Sequence, residues 1–110
     1  MSAMHISFPH DAPEYRGRDL VVAFAALVDG KAVQCAITAE ALEDHFGAAS
    51  LREPDLIDAF IAHRFEIEQA ADTMLNEVGG NPVLLHSGYF RFYPHAQNGS
   101  RDGVDKERPR

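Results

Sequence analysis

The dipeptide Asp29-Gly30 constrains the fold of this chain most strongly, because it separates two apolar, β-prone runs of similar length. These runs cover residues 20–28 and 31–38 and are rich in valine, alanine and other apolar residues. Asp-Gly supplies the two positive φ angles of a type I′ turn, whose twist matches that of paired antiparallel strands. The sequence therefore predicts a tight β-hairpin over residues 20–38.

A short capped helix is predicted directly after the hairpin. Thr38 can accept an amide hydrogen bond from the first turn, and Gly47 suits the left-handed residue that ends a helix. Leu42 and Phe46 lie one turn apart and form the apolar face of this segment. We expect a helix over residues 39–46.

The next helix is predicted over residues 54–78, and its start has two interpretations. Ser50-x-x-Glu53 resembles a capping box, whereas Glu53-Pro54 places proline at the first helical position. We favour the second start, because Pro54 deeper in the helix would remove a backbone hydrogen bond. Gly79-Gly80 ends the helix. Its apolar stripe comprises Leu56, Ile57, Phe60, Ile67, Ala71, Met74, Leu75 and Val78.

Strands are also predicted at both ends of the folded region. Residues 5–8 alternate before Pro9, residues 10–18 look like a loop, and residues 83–93 alternate in polarity. The fold class predicted is α+β: an antiparallel β-sheet in β-β-β-α-α-β order with two helices packed on one face. One domain is expected over residues 1–93, followed by a disordered C-terminal tail over residues 94–110.

Both faces of the first hairpin strand are apolar, which leaves one face without helices to cover it. Exposed apolar surfaces of several hundred Å² usually mark contact sites. We therefore expect self-association, for example as a homodimer, or binding of a protein partner. The alternative is that the N-terminal segment or the tail covers this face.

The charge distribution makes some partners unfavourable. Residues 1–93 carry 14 acidic and 6 basic side chains, so their net charge is −8, and the whole chain carries −7. Binding to nucleic acid or to an anionic membrane depends on cation–phosphate contacts, so neither partner is expected. No apolar run approaches the roughly 20 residues that cross a bilayer, and no signal peptide is visible. A cytoplasmic location is the expectation.

Motifs for enzyme chemistry are not found. Cys35 is the only cysteine, so no disulfide or cysteine-based zinc site can form within the chain. The six histidines lack a recognisable metal-ligand spacing, and Ser87-Gly88 is not part of a nucleophile elbow. We therefore predict no catalytic residue, no metal and no cofactor.

Arg64 falls within the apolar stripe of the long helix, where an unpaired cation is unfavourable. Glu68, one turn later, can form an ion pair with it, which would make the arginine structural. The alternative is an anionic ligand, or an enzyme's anionic substrate, bound by Arg64 together with His63 and His86.

Tyr89, Arg91 and Tyr93 share one face of the predicted last strand. They form a candidate recognition surface for a protein partner, or alternatively cross-strand pairs that stabilise the sheet. The leading hypothesis is a small non-enzymatic interaction or regulatory module of unknown function.

Four segments share a recognisable order and spacing: the opening Ile6-Ser-Phe-Pro9, the strand segment Val22-x-Phe24, residues 35–48 (CAITAEALEDHFGA) and residues 59–71 (AFIAHRFEIEQAA). Together they resemble a bacterial family known as domain of unknown function 1488. The resemblance covers roughly residues 4–93 and implies a compact β-β-β-α-α-β domain. It implies no catalytic residues, and the segment Leu85-His-Ser-Gly-Tyr-Phe-Arg-Phe departs most from the family pattern.

Overall fold

The computed structural model describes residues 4–92. A sheet of five strands packs against helices, so the predicted α+β class is confirmed, and the sheet is antiparallel except for β5. The predicted tail over residues 94–110 lies outside the described residues. In chain order the elements are β1 (Ile6–Ser7), β2 (Glu14–Arg16), β3 (Val21–Val28), β4 (Lys31–Thr38), α1 (Ala39–Phe46), α2 (Glu53–Ala62), α3 (Arg64–Glu77), β5 (Val83–Leu85) and α4 (Ser87–Phe92).

The predicted hairpin is confirmed. Asp29 and Gly30 have φ angles of 51° and 84°, the positive values that a type I′ turn needs. Val28 pairs with Lys31, and the antiparallel ladder between β3 and β4 runs along the full length of both strands. This hairpin is the centre of the sheet.

The other strands pair with the two outer sides of the hairpin. β1 and β2 both run antiparallel to β3, one beside each end of it, and β5 lies beside β4. β2 falls within the segment that we expected to be a loop. Tyr15 pairs with Val22, and its ring packs against the hydrophobic core, which explains why this polar segment is extended.

The connected core cluster lies on one face of the sheet. Strand residues in the core cluster alternate along each strand, so that their side chains all point to the helices. They are Val22, Phe24, Ala26, Val28, Cys35, Ile37, Val83 and Leu85. The helices supply most of the remaining buried side chains, among them Leu42, Phe46, Leu56, Phe60, Ile67, Leu75 and Phe90.

Helix α1 has the predicted bounds and caps. The Ala41 amide donates to the Thr38 hydroxyl oxygen over 3.0 Å, and Gly47 adopts a left-handed conformation with a φ of 74°. Helix α2 starts at Glu53 with Pro54 in its first turn, close to the start that we favoured over the capping box.

The single helix predicted over residues 54–78 is in fact two helices. His63 separates them, with a φ of −120° and a ψ of 26°, and its amide donates to the carbonyls of both Ala59 and Phe60. The break lets each half turn its own apolar side towards the sheet, Leu56 and Phe60 from α2 and Ile67 with its neighbours from α3.

The strand predicted over residues 83–93 is wrong beyond Leu85. β5 contains only Val83–Leu85 and runs parallel to β4, with Cys35 opposite Val83, and residues 87–92 form helix α4. The helix turns Phe90 onto the ring of Phe46 from α1, with the ring centroids 5.1 Å apart. Burial of Phe90 on α1 therefore replaces the continuation of the strand.

Candidate functional site

Asp44, His45 and Ser87 form the one polar cluster of the described residues that joins two helices. The Ser87 hydroxyl donates to Asp44 Oδ2 over 2.7 Å. His45 Nε2 lies 3.1 Å from both the backbone oxygen and the hydroxyl oxygen of Ser87. A carbonyl oxygen can only accept, so Nε2 carries the proton and donates it. These contacts fasten α4 to α1.

The cluster contains the residue types of a serine hydrolase but not their arrangement. A catalytic histidine accepts the proton of the serine hydroxyl, and an acid orients that histidine. Here the histidine donates, the hydroxyl proton is bound by Asp44, and Ser87 is only 6% exposed. The arrangement therefore positions a helix and gives the serine no general base. Its partners are more than forty residues apart, so the sequence alone gave no indication of it.

Arg64 is held by three groups from the chain itself. Its Nε donates to Glu68 Oε2 over 2.8 Å, and its Nη2 donates to the Pro9 carbonyl over 3.1 Å. The guanidinium carbon lies 5.4 Å from the centre of the Phe60 ring. The predicted pair with Glu68 is present, and the arginine also ties the loop after β1 to α3.

His63 makes contacts of its own, and His86 is exposed. The His63 ring packs against Phe46 and pairs with Glu66 at 3.7 Å, whereas His86 is exposed between β5 and α4. Within residues 4–92, no hydrogen bond or ion pair joins Arg64 to either histidine. Binding of an anion by these three residues stays a prediction.

The predicted stripe of Tyr89, Arg91 and Tyr93 rested on a strand, and that geometry is wrong. Tyr89 and Arg91 belong to α4, where residues two apart point in directions about 200° apart. Tyr89 packs edge-on against Phe90 and is half-buried, whereas Arg91 is exposed. Tyr93 lies outside the described residues.

Cys35 is buried against the helices in β4. Burial raises the pKa of its thiol to about 11, because the charged thiolate is poorly solvated there. A thiol of this pKa stays protonated at neutral pH and is a poor nucleophile. Among residues 4–92, no group of three or more histidine, cysteine or acidic side chains is placed to hold a metal ion.

Within residues 4–92, the core cluster packs on one face of the sheet, and we call the opposite face the open face. Its central residues are small: Ala23 is 2% exposed, whereas Ala25 and Ala36 are half-buried and Leu84 is 38% exposed. The strand register assigns to this face Ser7, Glu14, Arg16, Val21, Ala23, Ala25, Leu27, Ala32, Gln34, Ala36, Thr38 and Leu84.

The open face carries no net charge. Glu14 and Arg16 are its charged members, and they pair with each other at 3.4 Å near one end of β3. Ten of the acidic residues of the chain lie instead between positions 39 and 78, in the segment that forms the helices. The molecule thus has an acidic helical side and a neutral, alanine-rich sheet side.

The chain matches a family model described as a protein of unknown function (DUF1488) over residues 6–85. This range runs from β1 to β5 and is most of the chain. The chain belongs to the DUF1488 family. The range that defines DUF1488 in this chain contains every residue of the open face, whereas Ser87 of the α1–α4 cluster lies beyond it.

A crystal structure of another DUF1488 protein of unknown function, from Shewanella loihica PV-4, is similar to this chain. The TM-score is 0.61 at 22% sequence identity, and the match covers 74% of this chain and 92% of the other. This likeness shows the fold that the two DUF1488 chains share. A search of curated proteins finds no match. None of the helices within residues 4–92 has the length and apolar character that crossing a membrane requires.

Proposed function

We propose that this DUF1488 protein is a small non-enzymatic association module whose open face pairs with the same face of a second copy. The observation that carries the proposal is the alanine-rich, charge-neutral surface on the side of the sheet away from the core. Exposed apolar surfaces of this kind usually mark contact sites.

Charge favours a second copy as the occupant of the open face. Two molecules of net charge −7 repel each other through their acidic helical sides. The open face presents one glutamate and one arginine, so two copies can approach there without that repulsion. A basic partner, by contrast, would be attracted to the helices.

The C-terminal segment is a poor alternative occupant. Residues 94–110 contain seven charged side chains and a single branched aliphatic residue, Val104. Such a segment has too few apolar side chains to cover the apolar surface of the open face.

The size of the open face indicates a weak dimer. The five strands contain 24 residues, and each residue covers about 3.3 by 4.8 Å of the sheet, so one copy offers about 400 Å². Standard interfaces bury about 800 Å² per partner. The two sheets would stack as in a β-sandwich, at the usual separation of about 10 Å or less, because alanine side chains are short. We expect dissociation constants on the order of 10 µM to 1 mM.

Sedimentation equilibrium of the full chain over that concentration range tests the proposal. The wild type should pass from monomer to dimer. Ala25→Glu adds a charge at the centre of the open face and should abolish the dimer, because two copies of the new carboxylate would be buried together. Ala62→Glu makes the same chemical change at an exposed position at the end of α2 and should leave the dimer unchanged.

Two results would refute self-association through this face. One is a wild type that stays monomeric over the whole range. The other is equal dimerisation of the Ala25 and Ala62 variants, with circular dichroism confirming that both are folded.

We also propose that the module works in the cytoplasm. Its one cysteine is a buried free thiol, which suits a reducing compartment. Fractionation of cells that express the full chain, with detection of the protein in each fraction, checks this location.

A further inference from the structure

Within residues 4–92, β1 is an edge strand of the sheet, with no strand on its outer side. His5 accepts a hydrogen bond from the Asp29 amide, and its own amide donates to the Asp29 side chain, so both groups face the hairpin. Antiparallel ladders alternate, and the N–H and C=O of Ile6 therefore point away from β3. An edge strand with free groups of this kind can template a further strand.

A groove runs beside this edge, between β1 and α3. It has a volume of about 160 Å³ and is lined by Ile6, Phe8, Phe65, Glu68, Gln69 and Asp72. Phe65 is 69% exposed, although phenylalanine side chains are usually buried. An apolar cavity of similar volume holds a benzene molecule, so the groove has room for one large side chain.

The groove is apolar next to β1 and acidic further along α3. Glu68 and Asp72 follow Phe65 by one and two turns, and none of the described residues that line the groove is a cation. Arg64 engages one oxygen of Glu68, while Asp72 accepts a hydrogen bond from Asn76. The site is therefore complementary to an apolar side chain followed by a basic one.

We propose that the edge of β1 and this groove bind an extended, basic peptide segment of a partner protein. The segment adds a strand to the sheet by pairing with Ile6. It places an aromatic or large aliphatic side chain against Phe65 and a lysine or arginine two positions away, near Glu68 and Asp72.

The spacing of two positions follows from strand geometry. Alternate residues of a strand point to the same side and lie about 7 Å apart. Along α3, Glu68 and Asp72 lie about 4.5 and 10.5 Å beyond Phe65. For a peptide strand that runs along α3, a cation two positions from the apolar residue falls between the two carboxylates.

A designed heptapeptide with capped ends, Thr-Val-Thr-Phe-Thr-Lys-Thr, serves as the probe. Its valine, phenylalanine and lysine share one face of a strand. The matched control, Thr-Val-Thr-Phe-Lys-Thr-Thr, has the same composition and charge but places phenylalanine and lysine on opposite faces. Binding to the ¹⁵N-labelled full chain is followed by amide chemical shifts in NMR titrations.

The first peptide should shift amides in residues 5–8 and 65–72 and bind about tenfold more tightly than the control. Phe65→Ala should weaken it by about tenfold, whereas Leu51→Ala, at another exposed apolar residue, should not change it. Asp72→Asn should reduce both the affinity and its dependence on salt. The Ala25→Glu variant should bind the first peptide with the same affinity as the wild type, which would show that the groove and the open face are separate sites.

Several results would overturn the proposal. Equal affinity of the two peptides, shifts centred on the open face, or no shifts at millimolar peptide would each do so. Peptide-induced shifts in the amide signals of residues 94–110 would show that the peptide displaces the chain's own C-terminal segment from the groove. That result would exclude a partner peptide as the normal occupant.

Discussion

Replacing Arg64 by methionine tests whether this arginine stabilises the fold. Methionine keeps the apolar stem but removes the guanidinium, and with it the hydrogen bonds to Glu68 and to the Pro9 carbonyl. It also removes the cation from the Phe60 ring. The free energy of unfolding should fall, because the loop after β1 loses its attachment to α3.

The size of the effect can be built from these three contacts. The ion pair joins side chains that are each 20% exposed and contributes about 0.5–1 kcal/mol. The hydrogen bond from the charged guanidinium to the carbonyl adds about 1 kcal/mol, and the cation–π contact adds about 0.5–1 kcal/mol. A loss of about 2 kcal/mol corresponds to a fall in Tm of about 8–16 °C for a domain of this size.

Urea denaturation followed by circular dichroism measures the loss, and two further variants identify its source. Arg64→Lys keeps the charge but not the planar donor geometry, so it should recover only part of the stability. A double-mutant cycle with Glu68→Gln should give a coupling energy of about 0.5–1 kcal/mol. If the Tm of Arg64→Met falls by less than about 2 °C, the structural role is refuted. Arg64 would then again be a candidate ligand-binding residue.

Two further predictions concern a helix and the buried thiol. Gly88→Ala should raise the free energy of unfolding by about 0.5–1 kcal/mol, because an added Cβ meets nothing within 4 Å and alanine favours the helix. The matched change Gly47→Ala should lower it by about 1 kcal/mol, since Gly47 has a φ of 74°, and a loss at both positions in urea melts would contradict the helical conformation of Gly88. For Cys35, the folded pKa of about 11 lies above the ordinary value of 9.0, so native thiol retains its proton where unfolded thiol loses it. Wild-type stability should therefore fall by about 2 kcal/mol between pH 9 and 11 relative to Cys35→Ala, and parallel pH profiles of the two proteins would exclude this linkage.

Local signals predicted the elements whose conformation is decided locally. Asp29-Gly30 fixed the hairpin through its φ angles, and Thr38 with Gly47 fixed both ends of α1. The i,i+4 spacing of Arg64 and Glu68 likewise predicted their ion pair. In each case the deciding interaction lies within a few residues of the chain.

Elements decided by distant contacts could not be predicted in this way. The alternation after Leu85 fits a strand, but the segment becomes helical because Phe90 packs against Phe46 and Ser87 bonds to Asp44. No glycine or proline lies at the break at His63, and the apolar periodicity of the sequence continues through it. The groove beside β1 needs α3 and β1, which lie more than fifty residues apart, to be placed side by side.

The shortness of β5 has a consequence for how this protein avoids misassembly. β5 pairs only with Cys35, Ala36 and Ile37, so the first half of β4, from Lys31 to Gln34, has no strand beyond it within residues 4–92. An edge stretch without a paired strand can pair with the edge of another chain, and repeated pairing of this kind builds aggregates. Lys31 stands at the start of this exposed stretch, where a charge opposes such stacking. A lysine at this position disfavours edge-to-edge pairing of copies, and contacts between copies would then stay reversible.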